Sequence, residues 1–313
     1  MQISFVSKRI YFFSLSIVLV LTSIVSLFTF GLKPGIDFTG GSLIELSFTE
    51  VLPEVADVRE LFVDGTYGSV LVQPVGDMGY LLKMRFITED EHQEILQLIR
   101  GAFEIVVDEE AGITANRVLE ERVETIGPVI SSTLKARSIE AGIAVSIAII
   151  LFIAYAFRKV SRPVASWKYG ITAIIALTHD VLITLGIFAL LGHLYGVEIG
   201  IPFVVALLTI LGYSVNDTIV VFDRVRENLI KYGSNNFSDL VNRGLNQTFV
   251  RSINTSLTTI LVLGSLFVFG GESIKYFALA LMIGVASGTY SSIFLASPLL
   301  VAWQELSSRG KKK

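Results

Sequence analysis

Three stretches of this chain, residues 10–32, 252–271 and 276–304, contain no charged side chain. Each is long enough to cross a bilayer, because about 20 residues at 1.5 Å rise span a hydrocarbon core of about 30 Å. In lipid the backbone must satisfy its own hydrogen bonds, so such runs fold as helices. Three further apolar runs complete a predicted set of six transmembrane helices: 10–32, 138–157, 168–192, 199–222, 252–271 and 275–303. Only 17% of the residues are charged, against about 25% in soluble domains, which fits the same reading. Lys8 and Arg9 before the first run resemble a secretory leader. The run is too long for a leader's apolar core of about 7–15 residues, and no small-residue cleavage site follows. An uncleaved first span is therefore expected.

The charges between the spans predict the orientation. Lys8 and Arg9 precede span one; Arg158, Lys159, Arg162 and Lys168 follow span two. Arg224, Arg226, Lys231 and Arg243 lie in the predicted cytoplasmic loop 223–250, and Arg309, Lys311, Lys312 and Lys313 in the basic tail 304–313. The opposite loops are nearly bare, with no Lys or Arg in 193–198 and one lysine in 272–275. Lys and Arg accumulate on the cytoplasmic side, so both termini are expected there and segment 33–137 outside. That segment holds 9 basic and 19 acidic residues, a net of −10 in a chain of net −3.

Segment 33–137 is predicted to be a small α+β domain. Ile44, Leu46 and Phe48 alternate as one face of a strand. Val55, Val58 and Phe62 share a short helical face after Pro53. Val70–Gln73 and Tyr80–Phe86 flank the turn Gly76-Asp77-Met78-Gly79, a hairpin signal. Thr88 and Glu91 form a capping box before Ile95, Leu98, Ile99 and Ala102. Asn116–Ile126 supplies a last strand. The order is βαββαβ, the ferredoxin-like pattern, which carries no activity by itself.

Motifs of soluble enzymes are missing: there is no phosphate-binding loop, zinc-protease helix or nucleophile elbow. The chain has no cysteine and three histidines, His92, His179 and His193. No disulfide framework, thiolate site or histidine-rich metal centre is expected. Neither a cofactor nor a nucleic-acid partner is expected, and the chain is not read as an enzyme. Gly35-Ile36-Asp37-Phe38-Thr39-Gly40-Gly41 precedes a strand rather than opening a helix. It reads as a tight turn, with a contact or hinge role left open.

Charged residues within the spans carry the most information, since each costs several kcal/mol if it faces lipid. Asp180, beside His179, falls near the middle of span three. Asp217 follows Asn216 in span four, on a stripe with Tyr213 and Thr209 one and two turns earlier. Arg251 opens span five, with Thr255, Thr258 and Thr259 on its side. Arg251 and Asp217 come to similar depths, so a pair is geometrically allowed. Packing by buried hydrogen bonds, or an arginine snorkelling to the headgroups, would explain each residue singly. Together they point to a proton relay, because burial favours a neutral carboxyl and a nearby guanidinium favours the anion. Ala280, Gly284 and Gly288 give span six a small-residue face that lets a helix approach closely, whether from this chain or another.

Four stretches then identify a resemblance: Gly35–Gly41, Val123–Pro128, Leu177–Val181, and above all Leu211–Asn228, which reads LGYSVNDTIVVFDRVREN. With the arginine at 251 and six predicted spans, the whole chain resembles the SecF members of the SecD/SecF family of bacterial protein export. The resemblance implies half of a resistance-nodulation-division-like (RND-like) bundle in the cell inner membrane, completed by SecD. It implies use of the proton motive force to help polypeptides leave the SecYEG channel. Asp217 and Arg251 would then be this subunit's share of the proton path. Asn216, Tyr213 and Thr255 would support it, and Asp180 is a further candidate. Gly35, Asp37, Phe38, Gly40 and Gly41 would be the family's glycine motif. Implied partners are SecD, SecYEG, the unfolded secretory polypeptide, the lipid bilayer and, as a further candidate, the YidC insertase. Protons are the expected coupling ion, with sodium also suited to carboxylates. Two rival readings stay open, an RND-type half-transporter for a small molecule or lipid, and a scaffold that transduces nothing.

The orientation is testable, because a chain without cysteine gives clean single-cysteine labelling. A cysteine at Asp77 is expected to react with a membrane-impermeant thiol reagent on intact cells stripped of outer barriers. One in the 223–250 segment is expected to react only after lysis; the reverse pattern would overturn the orientation.

Overall fold

The computed structural model describes residues 3–105, 116–156, 165–233 and 236–309. It divides into two compact units, Met1–Lys33 with Ser138–Lys313, and Pro34–Arg137.

Among the described residues, six helical spans are long and apolar enough to cross a membrane. They are α1 (Arg9–Phe30), α5 (Pro128–Ala156), α6 (Ser166–Tyr195), α7 (Ile201–Tyr232), α8 (Phe237–Phe269) and a composite last span. That span runs through α9 (Glu272–Tyr290), a π-helical stretch (Ser291–Ala296) and α10 (Ser297–Arg309). The π stretch ends just before Pro298. A proline has no N–H to give the carbonyl four residues back and its ring crowds that carbonyl, so a locally widened turn relieves the clash. Arg9 at the start of α1 makes two hydrogen bonds to Glu305 of α10, at 3.0 and 2.7 Å, which fixes both at one end of the bundle.

The expected loop 223–250 is corrected by the structure. α7 continues to Tyr232 and α8 already begins at Phe237. The charges in this segment do not break the helices, because the two extensions bury an apolar stripe between them. Val225 and Leu229 of α7 and Phe237, Leu240, Val241 and Leu245 of α8 share one core. Gly244 allows the close approach, since a Cβ there would lie 3.0 Å from Val225. Arg251 consequently sits well inside α8 rather than opening a span. α5 starts at Pro128, ahead of the expected 138. Lys168, expected in a loop, lies in α6 and donates to Ser307 Oγ at 2.7 Å. Arg158, Lys159, Arg162 and the Lys311–Lys313 run fall outside the described residues.

Small residues set the helix crossings, as expected where van der Waals packing rather than burial from water drives association. Gly186 of α6 lies directly against Ser23 of α1, and Ser26 Oγ donates to the Gly186 carbonyl at 2.8 Å. Gly284 and Gly288 of α9 receive Ile210 and Ser214 of α7. The small-residue face of the last span is therefore filled from within this chain.

The Pro34–Arg137 unit has the ferredoxin-like order that its periodicity predicts. Its elements are β1 (Gly41–Phe48), α3 (Val55–Glu60), β2 (Leu71–Val75), β3 (Gly79–Met84), α4 (Glu89–Phe103) and β4 (Val118–Ile126). The sheet runs β2-β3-β1-β4 with every neighbouring pair antiparallel. Ile44 sits opposite Leu82 and Leu46 opposite Tyr80, and all four join Ile95 and Ile99 of α4 in the core. The capping box of α4 is present, with Glu91 N 3.4 Å from Thr88 Oγ1 and Thr88 N 2.8 Å from Glu91 Oε2. The Arg85 guanidinium, together with the Thr88 amide, holds the Glu91 pKa at about 2.

The glycine-rich turn differs from the simple turn expected, because Ile36–Thr39 forms one helical turn, α2. Gly40 and Gly41 then bend the chain into β1 with φ of +74° and +130°. A Cβ on Gly41 would lie 2.7 Å from the Met84 carbonyl oxygen. A Cβ on Gly40 would lie 3.4 Å from the Ile126 carbonyl oxygen and 3.6 Å from Pro128 Cα, so two of the four family-like stretches meet here. Gly41→Ala combines a forbidden φ with a clash. It is expected to cost about 1–3 kcal/mol, seen as earlier proteolysis of this unit on heating, whereas a wild-type digestion midpoint would refute the account.

Candidate functional site

Two polar clusters lie inside the helical bundle, one around Asp180 and one around Asp217, and their hydrogen bonding differs.

Asp180 stands halfway along α6 and is fully buried. Its Oδ2 accepts from Ser214 Oγ of α7 at 2.5 Å and from Ser291 Oγ of the π stretch at 2.7 Å. Its Oδ1 accepts from Ser287 Oγ of α9 at 2.9 Å and lies 2.9 Å from His179 Nδ1. An ionised carboxylate offers about four acceptor sites, and all of them are taken. Three spans meet at this one side chain. The His179 ring stacks on Tyr290 with centroids 5.9 Å apart, and its Nε2 is buried without a partner. Asp180 thus has the partners of a structural knot and no unused oxygen.

Asp217 lies halfway along α7. Its Oδ1 accepts from Ser252 Oγ of α8 at 2.5 Å, while its Oδ2 is buried and unpartnered. The predicted stripe also reaches α8, because Tyr213 OH and Thr259 Oγ1 are 3.2 Å apart. Arg251 neighbours Ser252 on α8 and is exposed; it forms no ion pair with Asp217 among the described residues. Thr209, Gly212 and Asn216 of α7 and Asn254, Thr255 and Thr258 of α8 are exposed as well. Thr258 and Thr259 turn their hydroxyls back onto the Thr255 carbonyl, at 2.8 and 3.0 Å. A polar, partly open face on two otherwise apolar helices is costly in lipid and suits a second protein surface.

The structure therefore joins Asp217 and Tyr213 to α8 through Ser252 and Thr259, leaves Arg251, Asn216 and Thr255 exposed, and sets Asp180 in a separate knot. Gly35, Asp37, Phe38, Gly40 and Gly41 belong to the Pro34–Arg137 unit, where they build the turn into β1. Sequence reasoning missed the serines: Ser214, Ser252, Ser287 and Ser291 hold the two carboxylates. Their spacing of three or four residues from other polar groups in uncharged spans was the available signal. Among the described residues no group of three or more His, Cys, Asp or Glu could hold a metal ion.

Comparison with known proteins places these features in a family. Residues 107–306 match the family described as protein export membrane protein SecD/SecF, C-terminal, and residues 25–50 match the SecD/SecF GG motif. The chain is 42% identical to a protein translocase subunit SecF of Thermobaculum terrenum, covering 97% of this chain and 94% of that one. It is 39% identical to SecF of Synechocystis, covering 87% and 83%. The crystal structure of SecDF from Thermus thermophilus, a translocon-associated membrane protein, is similar with a TM-score of 0.80 at 32% identity, over 97% of this chain. SecDF in its super-membrane-facing form gives 0.63 at 29% identity over 100%. This chain spans only 39% and 40% of those two solved chains.

The contrast between the clusters is measurable. Asp180→Ala removes a partner from three serine hydroxyls, of which Ser291 keeps the Gly288 carbonyl at 3.2 Å, and each buried group left unpaired costs about 1–3 kcal/mol. Asp217→Ala frees one. In detergent, the thermal midpoint is expected to fall far more for Asp180→Ala than for Asp217→Ala; equal falls would remove the distinction.

Proposed function

The chain belongs to the SecD/SecF protein-export family, and on that premise we propose that it is the SecF-type half of a complex that uses the proton motive force to assist late steps of protein translocation through the SecYEG channel. Its two termini lie in the cytoplasm in this reading, and the acidic ferredoxin-like unit lies outside the bacterial inner membrane. SecD supplies the surface that covers the α7–α8 face, and the emerging unfolded polypeptide is the cargo.

The observation that carries the reading is the half-satisfied Asp217. One oxygen is anchored by Ser252 and the other is buried without a partner, with a permanent cation one residue along α8. A guanidinium drawn close stabilises the carboxylate anion, and its withdrawal leaves a charge in a low-dielectric medium that a proton would remove. Alternating those two arrangements takes up a proton and releases it. Asp180 has no such vacancy, so in this reading it holds the helices against which the α7–α8 pair works. Protons are the proposed coupling ion. The arginine's planar fork matters, because lysine offers a point charge in place of two parallel hydrogen bonds.

Asp217→Asn is nearly isosteric and is expected to assemble with SecD yet reduce export to the level seen without a gradient. Arg251→Ala and Arg251→Lys are expected to do the same. If all three assemble and export at wild-type rates under a proton gradient, the relay is wrong and a scaffold role remains.

A further inference from the structure

The segment before α1 is not a loose end. Two asparagines one turn apart on α8 bind its backbone. Asn246 accepts from Ile3 N at 2.8 Å and donates to Ile3 O at 2.9 Å. Asn242 accepts from Phe5 N at 2.8 Å and Val6 N at 3.4 Å, and donates to Ile3 O at 3.1 Å. Asn246 also donates to the Asn242 carbonyl at 2.8 Å, which ties the two together. The Phe5 side chain is 1% exposed. Its ring lies 5.3 Å from Phe249 of α8 and 5.8 Å from Phe294 of the π stretch.

The spacing on α8 gives this contact its consequence. Residues 242, 246, 249, 252 and 256 follow one another at three or four positions, so they form one stripe along the helix. The first three bind the N-terminal segment. The fourth is Ser252, which holds Asp217, and the fifth is Ser256, bonded to Thr289 of α9. A rotation or slide of α8 that broke the first contacts would carry Ser252 and Arg251 with it. Single side-chain bonds tie α8 to α7 through Gln247, whereas the two asparagines clasp another segment's backbone at several atoms and so fix both the rotation and the register of this end of the helix.

We propose that residues Ile3–Val6 form a strap that sets the rotation and register of α8, so that Asn242, Asn246 and Phe5 are positioning residues for the Asp217–Ser252–Arg251 cluster. The inference rests on the relay reading for its functional half and on geometry alone for its structural half. The strap also joins three elements at one end of the bundle: α1, which continues from it, α8, and the π stretch of the last span.

The test uses the full-length chain assembled with its partner subunit in proteoliposomes. Asn242→Ala with Asn246→Ala removes the backbone clasp, and Phe5→Leu is a milder variant that keeps an apolar side chain. Two readouts are taken: export with and without a proton gradient, and the distance distribution between spin labels on cysteines introduced at Ile230 of α7 and Val250 of α8, both exposed. The double variant is expected to lose the gradient-stimulated part of export several-fold, to keep the gradient-independent part, and to shift or broaden the distance distribution. Phe5→Leu should show a smaller change of the same kind. An unchanged distribution overturns the strap, whatever happens to export. A changed distribution with wild-type gradient stimulation overturns the positioning role. Asp217→Asn in the same assay separates the two readings: if it keeps gradient-stimulated export, the relay fails, while the distance measurement still judges the strap.

Discussion

A buried carboxylate in a membrane must be surrounded, and the helical unit of this protein is arranged around that requirement. Asp180 draws one hydroxyl from α7, one from α9, one from the π stretch and an imidazole from its own helix. Lipid offers no hydrogen bonds in exchange, so separating these helices would expose the carboxylate or strand the serines. The glycines of α9 serve the same site. Gly288 lies against Ser214 of α7, and Ser214 meets Ser287 and Ser291 of the last span at the one carboxylate.

Against that fixed knot, the Asp217 cluster is held loosely. One bond from Ser252 and one between Tyr213 and Thr259 join α7 to α8 at this level, and Arg224 and Asn228 of α7 reach Gln247 of α8 farther along. The two acids therefore differ in the number of their partners rather than in chemistry: four polar groups surround Asp180 and one hydroxyl reaches Asp217. The long extensions of α7 and α8 bury Phe237, Leu240 and Val241 in a core shared with Phe5, Tyr169 and Ile293.

The ferredoxin-like unit was legible in the sequence, because each strand alternates and α4 opens with a capping box whose residues are adjacent in the chain. Its glycine turn was only half legible. The need for Gly40 and Gly41 is plain once β1 pairs with β3 and the Met84 carbonyl occupies the place of a Cβ, but nothing local announces that neighbour. The single turn of helix at Ile36–Thr39 was missed because four residues are too few to show a period. The extensions at 223–250 were missed because a charge-rich segment after an apolar span reads as a loop, although Val225, Leu229, Phe237, Val241 and Leu245 recur within it and share one core.

The sequence by itself determined the six spans, the order of the small domain, and which charged residues stand inside the bundle. Uncharged runs, two-residue alternation and intramembrane acids are each local properties, set by the cost of hiding a charge or a backbone group from water. Only the tertiary structure decided which acid is saturated and which is not. Serine is small, common and equally at home bonding its own helix, so its identity does not reveal a partner. Whether Ser214 serves Asp180 or Asp217 depends on the direction in which one helix face points, and that is settled by where Gly288 and Ile210 let the neighbouring helices cross.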